Sequence, residues 1–294
     1  TQCLLYVRLD KMLFPGVGLQ RSFMTILITQ KITAMKKQLL FALVAFAALS
    51  LNACSKDDSN GDESWKDEPR EDVFIEFKDP NFLEALIGEG VDTNGDGRIS
   101  EKEASVVTSL EIDERRICHM DEISYFRALT KLYCQSNQLT SLNVSTLPVL
   151  RSLACGGNQL TSLEVNPTLT GLWCNANRLT SLDVSKCLVL KQLSCNSNRL
   201  TSLDVSNCPA LDELDCGHNQ LTSLDVTKNL ALENLSCSSN QLTSLDISKC
   251  KWLSGLSCEK NQLKEIRIYK YHELDQGTID WIISEYGDII TYVE

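Results

Sequence analysis

The sequence predicts an α/β solenoid in which short units, each with one strand of a parallel β-sheet, stack along the chain between two caps. Two observations support this fold class. A unit of about 21 residues recurs from residue 129 onward, and each unit contains one run of alternating apolar residues, which is typical of a strand with one buried face. Different patterns before residue 129 and after residue 268 predict a small helical N-terminal cap and an αβ C-terminal cap.

Every unit carries an asparagine that follows a cysteine by three residues. The unit reads L-x-x-L-x-C-x-x-N-x-L-T-S-L-D-V, and successive asparagines are 21 residues apart except for one step of 19. An inward-facing asparagine can hydrogen-bond backbone groups that a turn leaves unpaired, so we interpret these asparagines as structural. The seven pairs are Cys134–Asn137, Cys155–Asn158, Cys174–Asn177, Cys195–Asn198, Cys216–Asn219, Cys237–Asn240 and Cys258–Asn261.

This unit resembles the leucine-rich repeat, with cysteine at its third apolar position, and is similar to the short repeats of internalin-like bacterial surface proteins. The resemblance implies a leucine-rich-repeat solenoid: a parallel β-sheet horseshoe with mostly short, non-helical convex segments, among them a second extended segment at T-S-L-D-V. Burying about six apolar side chains stabilises one unit by roughly 10 kcal/mol, whereas ordering its backbone costs at least ~20 kcal/mol. A unit is therefore stable only between neighbours, and both ends need caps.

The first 53 residues predict an export signal. Residues 1–34 lie upstream of this signal and are interpreted as a non-native extension. Residues 35–53 begin with Met35-Lys36-Lys37 and continue with an apolar run that is shorter than the about 20 residues a membrane-spanning helix needs, a pattern typical of a secretory signal peptide.

The signal ends in Leu51-Asn52-Ala53-Cys54, which resembles the bacterial lipobox. That resemblance implies acylation of Cys54; an ordinary signal peptide that ends near a cysteine is the alternative. Residues 54–70 are acidic and lack apolar periodicity, so we expect a disordered tether. Its Lys56-Asp57-Asp58 resembles the export signal of Gram-negative surface lipoproteins and implies display on the outer membrane surface.

Residues 71–128 are predicted to form the N-terminal cap, and within them Asp92–Glu103 resembles the EF-hand calcium loop. Side-chain oxygens stand at positions 1, 3 and 5, glycine at 6, an aliphatic residue at 8, a hydroxyl at 9 and glutamate at 12. An Asp/Asn/Gly-rich turn without metal is the alternative. The resemblance implies one Ca²⁺ ion, held by Asp92, Asn94, Asp96, Arg98 (through its backbone carbonyl), Ser100 and Glu103.

We interpret this ion as structural, because sensor EF-hands pair two loops and this chain has one. Residues 81–87 and 101–108 are predicted to be the flanking helices. The run Thr108-Ser109-Leu110-Glu111-Ile112 echoes T-S-L-D-V, so we expect a degenerate first repeat to start there.

Residues 129–268 hold the seven repeats, and residues 269–294 are assigned to the C-terminal cap. A strand is predicted over 266–269, an amphipathic helix over 278–286 that stops at Gly287, and a last strand over 289–293. These elements are expected to cover the exposed edge of the solenoid.

The cysteines of the repeat are predicted to be small buried hydrophobes with free thiols. A row of stacked cysteines offers at most two neighbours to one metal ion, whereas zinc needs four converging ligands; disulfides between adjacent coils are the alternative. A partial second row, Cys187, Cys208 and Cys250 with Asn229 in the equivalent place, indicates packing there as well. The outward column Glu164, Asp183, Asp204, Asp225 and Asp246 is interpreted as solvated or turn-capping carboxylates.

Ligand specificity is expected at the variable positions beside each cysteine, which should all face the concave surface. The aromatic residues Tyr133 and Trp173 suit anchoring of a protein segment or stacking on a sugar ring, although they could instead pack beneath the N-terminal cap. The predicted ligand-binding residues are Tyr133, Trp173, Asn175, Ser194, Asn196, Asp215 and Glu259.

The charge balance argues against nucleic acid as a partner. Six of the 28 basic residues but one of the 39 acidic residues precede residue 55, which leaves 22 against 38, a formal net charge of −16; phosphate backbones favour cationic surfaces. The three histidines lie in unrelated contexts and no hydrolase, metalloprotease or phosphate-loop motif occurs, so we predict that the protein is not an enzyme. The sequence thus predicts a monomeric, lipid-anchored surface protein that binds a protein or glycan; a non-adhesive accessory lipoprotein of the envelope is the alternative.

Overall fold

The computed structural model describes residues 72–270, 274 and 276–293. The predicted extension, signal peptide, lipidated Cys54 and tether lie outside the described residues. In the part of the chain that the structure describes, no helix is long and apolar enough to cross a membrane.

The N-terminal cap contains two short α-helices and a 3₁₀ turn at Asp121–Tyr125. Helix α1 (Pro80–Gly88) begins after Asp79, whose carboxylate accepts a hydrogen bond from the Asn81 N–H at 2.9 Å. The other oxygen of Asp79 accepts the backbone N–H groups of Cys118 and His119, which ties the start of α1 to the segment leading into the repeats. Helix α2 spans only Glu101–Ser105; the prediction of a helix to residue 108 was wrong, because the chain has already turned into a strand at Ser109.

Eight short parallel strands form the main sheet, one per coil, and leucine pairs with leucine at the centre of each strand pair. Their order in the sheet follows the chain. Each coil thus adds one strand to the sheet through the same pairing with its neighbour. The strands are β1 (Ser109–Glu111), β2 (Lys131–Tyr133), β4 (Ser152–Ala154), β6 (Gly171–Trp173), β7 (Gln192–Ser194), β8 (Glu213–Asp215), β9 (Asn234–Ser236) and β11 (Gly255–Ser257).

Strand β1 corrects the predicted register of the first repeat. Leu110 pairs with Leu132, so Thr108–Ile112 corresponds to the strand that ends at a cysteine and not to T-S-L-D-V. Both segments alternate apolar and polar residues, and alternation alone cannot tell one from the other.

The predicted extended segment at T-S-L-D-V forms strands only towards the two ends of the solenoid. Strand β3 (Ser141–Asn143) pairs with β5 (Ser162–Glu164), and β10 (Ser244–Asp246) pairs with β12 (Glu265–Tyr269). In the described repeats between them this segment is not a strand. Its leucines and valines, such as Leu203 and Val205, are nevertheless buried, so the segment contributes to the core through its side chains.

The C-terminal cap closely follows its prediction. Helix α3 spans Gln276–Tyr286, a 3₁₀ turn follows at Gly287–Ile289, and β13 (Ile290–Val293) pairs in parallel with β12. Strand β13 thereby extends the sheet that contains β10. Helix α3 and β11 line a cleft of about 400 Å³, to which Trp281, Leu256 and Ser257 contribute.

Candidate ligand-binding face and calcium loop

The cysteines of the repeat lie on the buried side of the main sheet. The described cysteines are free, and the seven that precede the asparagines are fully buried. Burial raises the pKa of Cys174 and of Cys216 to about 12 and raises the pKa of Cys195 well above its ordinary value. These thiols are therefore neutral at physiological pH, and they lack the thiolate that a nucleophilic or metal-binding cysteine needs.

Each asparagine that follows a repeat cysteine by three residues links two adjacent coils by hydrogen bonds. Asn198 donates from Nδ2 to the carbonyls of Cys174 and Cys195, both at 3.0 Å, and its Oδ1 accepts the Leu179 N–H at 3.0 Å. The residue just before it, Ser197, has φ +55°, a left-handed conformation that costs a non-glycine residue roughly 1–2 kcal/mol. The asparagine satisfies the backbone groups that this sharp turn exposes, and the same arrangement recurs in the other repeats.

A second position, here named the outer slot, is also buried in the six repeats where the structure describes it. It comprises Leu147, Asn166, Cys187, Cys208, Asn229 and Cys250. The Cys208 thiol donates to the Val184 carbonyl at 3.7 Å, and Asn229 Nδ2 donates to the Val205 carbonyl at 2.9 Å. Asn166 was not recognised from the sequence as a member of this row, because the two-residue deletion changes its distance from the inner asparagine. Aligning each repeat on its own buried leucines would have identified it.

The exposed side of the main sheet carries variable residues, and its centre lies on β6, β7 and β8. Trp173, Ser194 and Asp215 are adjacent in register across these strands. The Trp173 ring lies over Gly171, where any Cβ would collide with it. Glycine at position 171 therefore allows the indole to lie along the sheet, partly exposed.

Polar groups beside Trp173 are already oriented by each other. Asn196 Nδ2 donates to the Asp215 carboxylate and to Ser194 Oγ, the latter at 3.2 Å. The other oxygen of Asp215 accepts the Gly217 N–H at 3.2 Å. An aromatic surface next to a fixed carboxylate and amide offers a ligand both stacking and hydrogen bonds.

The structure brings five of the seven predicted ligand-binding residues together and leaves two apart. Tyr133 lies two strands before Trp173, and Glu259 follows the strand two beyond β8, so at the usual strand spacing each is about 10 Å from the nearest of the three central strands. The same face also carries Gln192 and Glu213, joined by a 3.0 Å hydrogen bond, which sequence reasoning missed. Period-two alternation counted back from the cysteine would have found them.

Several positions expected to be available on the concave face are buried. Ala154 lies between Tyr133 and Trp173 in register, and Gly156 lies against the Asn175 side chain. Larger side chains on neighbouring coils cover these small residues. The corrected positions are Ala154, Gly156, Gly217 and Ser238.

The loop Asp92–Glu103 is arranged by its own side chains. Asp92 accepts the N–H groups of Gly95 and Gly97, at 2.7 and 2.9 Å, and both glycines have positive φ. The Arg98 guanidinium lies over the Phe74 ring at 3.6 Å, so its side chain points away while its carbonyl remains part of the loop.

Glu103 is held at the end of the loop by a capping box. One oxygen accepts from the N–H and hydroxyl of Thr93, and the other from those of Ser100, at 2.7–2.9 Å. Burial opposes its charge, but these hydrogen bonds outweigh burial and lower the pKa of Glu103 to about 2. Hard oxygen donors of this kind suit calcium; for Glu103 to bind the ion, the hydroxyls of Thr93 and Ser100 would have to turn away.

In the part of the chain that is described, the loop Asp92–Glu103 included, no three His, Cys, Asp or Glu side chains are grouped so that they could hold an ion. The aspartates of the outward column cap turns. Asp183, Asp204 and Asp225 each accept the N–H two residues later at 2.9 Å. Glu164 accepts from Asn143 Nδ2 at 2.8 Å.

Comparison with known proteins agrees with this architecture. Residues 188–229 match the family of leucine-rich repeats, in two copies, and no curated protein matches the sequence. Internalin C2 from Listeria monocytogenes is 18% identical, covers 74% of this chain and 94% of its own, and has a TM-score of 0.58. The protein is thus a leucine-rich-repeat solenoid with an internalin-like structural neighbour.

Two further solved structures are similar over part of the chain. The functional domain of InlJ from Listeria monocytogenes, described as including a cysteine ladder, is 34% identical with a TM-score of 0.49. The match covers 61% of this chain and 47% of that one, so this chain spans about half of its length. A leucine-rich-repeat protein of Leptospira interrogans is 23% identical over 66% of this chain and 62% of its own, with a TM-score of 0.47.

Proposed function

We propose that this chain is a lipid-anchored cell-surface protein that binds a protein or glycan ligand through the exposed face of its main sheet, with an N-terminal cap stabilised by calcium. One observation carries the proposal: a sheet with a uniform buried side presents a variable exposed side, centred on Trp173 and Asp215. A repeat scaffold fixes the shape of such a face and leaves specificity to these side chains.

Ligand binding is tested with residues 69–294, which form one compact unit with its own core. The fragment is screened on a glycan array and in a pull-down from host-protein extracts. For any ligand found, Trp173→Ala and Asp215→Ala should each weaken binding by 2 kcal/mol or more, roughly 30-fold, as for central anchor residues. The matched control is Trp252→Ala, an exposed tryptophan in another part of the repeat.

Absence of binding in both screens, with and without calcium, contradicts this part of the proposal. That result favours the alternative, an accessory lipoprotein of the envelope that does not itself adhere. A ligand that binds Trp173→Ala as tightly as the wild type contradicts the choice of face.

For calcium, the supporting feature is the donor set at Asp92, Asn94, Asp96 and Glu103, joined by the Arg98 carbonyl and Ser100. A bound ion would join the α1 side of the cap to α2. Calorimetry is expected to detect one site, and calcium should raise the melting temperature of the wild type but not of Asp92→Ala/Glu103→Ala. Absence of binding heat, or an equal shift in the double variant, contradicts calcium binding.

Anchoring is supported only by the resemblance of residues 51–54 to a lipobox, in a part of the chain that is not described. The full chain is expected to fractionate with outer membranes and to be accessible to surface labelling, whereas Cys54→Ser should be released. A variant that remains in the membrane fraction contradicts lipid anchoring at Cys54.

A further inference from the structure

We propose that one edge of the solenoid binds directly to an anionic lipid surface, independently of any acyl chain. The edge consists, in each repeat, of the residue before the outer slot and the two residues after it; we name it the basic–apolar edge. It lies in the turn that precedes each strand of the main sheet, and it shares no residue with the proposed ligand-binding face.

The first observation is an exposed apolar row. Leu188, Leu230 and Trp252 have relative exposures of 59%, 57% and 59%. Every large apolar residue between residues 129 and 268 that is described as exposed belongs to this edge. Scattered exposed leucines need no explanation, but here four of the six coils contribute to one edge, and such a patch marks a contact site. The row consists of Val149, Leu188, Val189, Leu230 and Trp252, with Pro148 and Pro209 exposed between them.

The second observation is the distribution of lysine. The chain has five lysines between residues 132 and 259, and all five lie on or directly beside this edge, exposed to solvent. Lys186, Lys228 and Lys249 occupy the position before the outer slot, and Lys251 the position after it. Lys191 lies at the border of the edge. The lysines of this segment thus stand next to its exposed apolar residues, whereas Arg178 and Arg199 follow the inner asparagines.

The coils stack these residues in register. Backbone hydrogen bonds link the same position of consecutive coils at this turn, from Asp212 N to the Lys191 carbonyl and from Glu233 N to the Asp212 carbonyl, at 2.9 and 2.8 Å. At a strand spacing of about 4.8 Å, the five steps from the coil of Val149 to that of Trp252 span about 24 Å. A row of this length presents several lysines and apolar side chains to one surface at the same time.

Carboxylates lie on both borders of the edge. Asp183, Asp204, Asp225 and Asp246 stand three residues before the lysine position, with one oxygen of each held by a turn N–H, and Asp212 and Glu233 lie on the opposite border. The lysines are closer in sequence to the apolar residues than these carboxylates are. Within the edge itself, no acidic residue is present in residues 186–189, 207–210, 228–231 or 249–252.

This combination fits lipid better than protein. Protein interfaces are enriched in tryptophan but depleted in lysine, whereas lysine stems lie along apolar surface and extend their ammonium groups outward to lipid phosphates. Leucine and tryptophan enter the boundary between headgroups and acyl chains. The ammonium group of Lys251 also lies over the Tyr269 ring at 4.8 Å, which keeps it beside Trp252.

The test is co-sedimentation of residues 69–294, which lack Cys54, with phosphatidylcholine vesicles that contain or lack phosphatidylglycerol. The wild type should bind the anionic vesicles. Each lysine near an anionic surface is worth roughly a factor of five in affinity, so Lys186→Gln/Lys228→Gln/Lys249→Gln should weaken binding about 100-fold. Leu188→Ser/Leu230→Ser/Trp252→Ser should abolish it.

Two matched triple variants serve as controls. Lys131→Gln/Lys260→Gln/Lys264→Gln makes the same change in net charge at exposed positions away from the edge, and Val73→Ser/Val106→Ser/Ile283→Ser removes exposed apolar side chains elsewhere. Both should bind like the wild type.

Three results would each overturn the proposal: no binding of the wild type to anionic vesicles, equal loss in an edge variant and its control, or binding that is independent of phosphatidylglycerol. A concentration-dependent dimer that the leucine and tryptophan changes dissociate, without vesicle binding, would assign the edge to a second copy of the chain instead. Failure here leaves the proposed ligand face untouched, because Trp173→Ala is tested in solution without lipid.

Discussion

The inner asparagine position is buried in six of the seven repeats and the outer slot in the six repeats where it is described, yet one position is constant and the other varies. All seven repeats have asparagine at the inner position, whereas the outer slot holds leucine, asparagine or cysteine. Asn198 serves two carbonyls and one N–H at the same time. At the outer slot, a thiol donating to one carbonyl is sufficient, as Cys250 does to Val226 at 3.5 Å.

The difference teaches that constancy in this repeat follows the number of buried backbone groups that depend on a side chain. An unpaired buried group costs about 1–3 kcal/mol. Asn198 makes three hydrogen bonds to such groups, so its position excludes every residue that lacks both a donor and an acceptor of the right length. At the outer slot, the carbonyl that the side chain meets also accepts a backbone N–H, as that of Val226 accepts from Asn229 at 3.0 Å, so the side chain can vary.

The largest loss of stability is expected at alkaline pH, from the strand cysteines and the outer-slot cysteines together. Ten cysteines are buried, and burial raises their pKa: to about 11 for Cys187 and Cys208, and to about 12 for Cys174. Because the folded pKa is raised, the contribution to stability is fully present below the unfolded pKa of about 9 and is lost as pH rises above it. By pH 10 each thiol costs about 1.4 kcal/mol, and ten cost of order 10 kcal/mol.

We therefore expect urea denaturation to show a steep fall in the free energy of unfolding between pH 9 and pH 11. In Cys187→Ala/Cys208→Ala the free energy of unfolding should fall with pH about one fifth less steeply, since two of the ten buried thiols no longer titrate. Unchanged stability from pH 8 to pH 10 would show that the thiols are not the buried groups described.

The second effect tests the inner position directly. Asn198→Ala leaves the N–H of Leu179 without its acceptor and removes one of the two amide donors at each of the Cys174 and Cys195 carbonyls, which keep Asn177 and Asn219. Unfolding should become easier by about 4 kcal/mol, about half of it from the unpaired N–H. Arg199→Ala, an exposed neighbour, should change stability by less than about 0.5 kcal/mol. A loss below about 1 kcal/mol in the asparagine variant would mean that water replaces the clamp.

The sequence alone predicts the inner position well, because a side chain that recurs at a fixed spacing beside a buried strand has few other roles. It predicts the outer slot in part: Asn166 is hidden by the deletion. Prediction from the sequence fails at β1, where a segment that resembles T-S-L-D-V forms a strand of the main sheet. Only the pairing of Leu110 with Leu132 distinguishes these two kinds of segment.

The candidate ligand face shows the same limit. Which residues point outward follows from alternation, so the positions of Trp173 and Asp215 are predictable. That Ala154 and Gly156 are covered depends on side chains from the next coil, about 20 residues away, and a single sequence contains no record of that contact. The loop Asp92–Glu103 is predictable as a motif, but the capping box at Glu103 depends on the helix beginning at Glu101.

The third prediction compares the same substitution, cysteine to asparagine, at a strand cysteine and at an outer-slot cysteine. No hydrogen bond from the Cys195 thiol is found among the described residues, so Cys195→Asn buries an amide without partners and should cost about 3 kcal/mol. Cys208→Asn is the matched change at the outer slot, where the new amide can donate to the Val184 carbonyl as the thiol does; about 1 kcal/mol is expected. Equal losses in urea denaturation would contradict the distinction between the two positions.

The smallest effect concerns the one outer-slot amide that is incompletely satisfied. Asn229 Oδ1 is buried without a hydrogen-bond partner, while its Nδ2 donates to the carbonyls of Val205 and Cys208. In Asn229→Cys a thiol keeps one donor and removes the unpaired oxygen, so stability should change by less than about 1 kcal/mol, towards a more stable protein.

The matched change is Asn166→Cys, because Asn166 Oδ1 accepts both the N–H and the hydroxyl of Thr168. Losing those bonds should cost about 2 kcal/mol, so the two substitutions of the same residue type at the same slot are expected to differ in thermal unfolding. If Asn229→Cys destabilises the chain as much as Asn166→Cys does, the unpaired oxygen carries no cost. The choice among leucine, asparagine and cysteine at the outer slot would then follow side-chain volume rather than the number of satisfied groups.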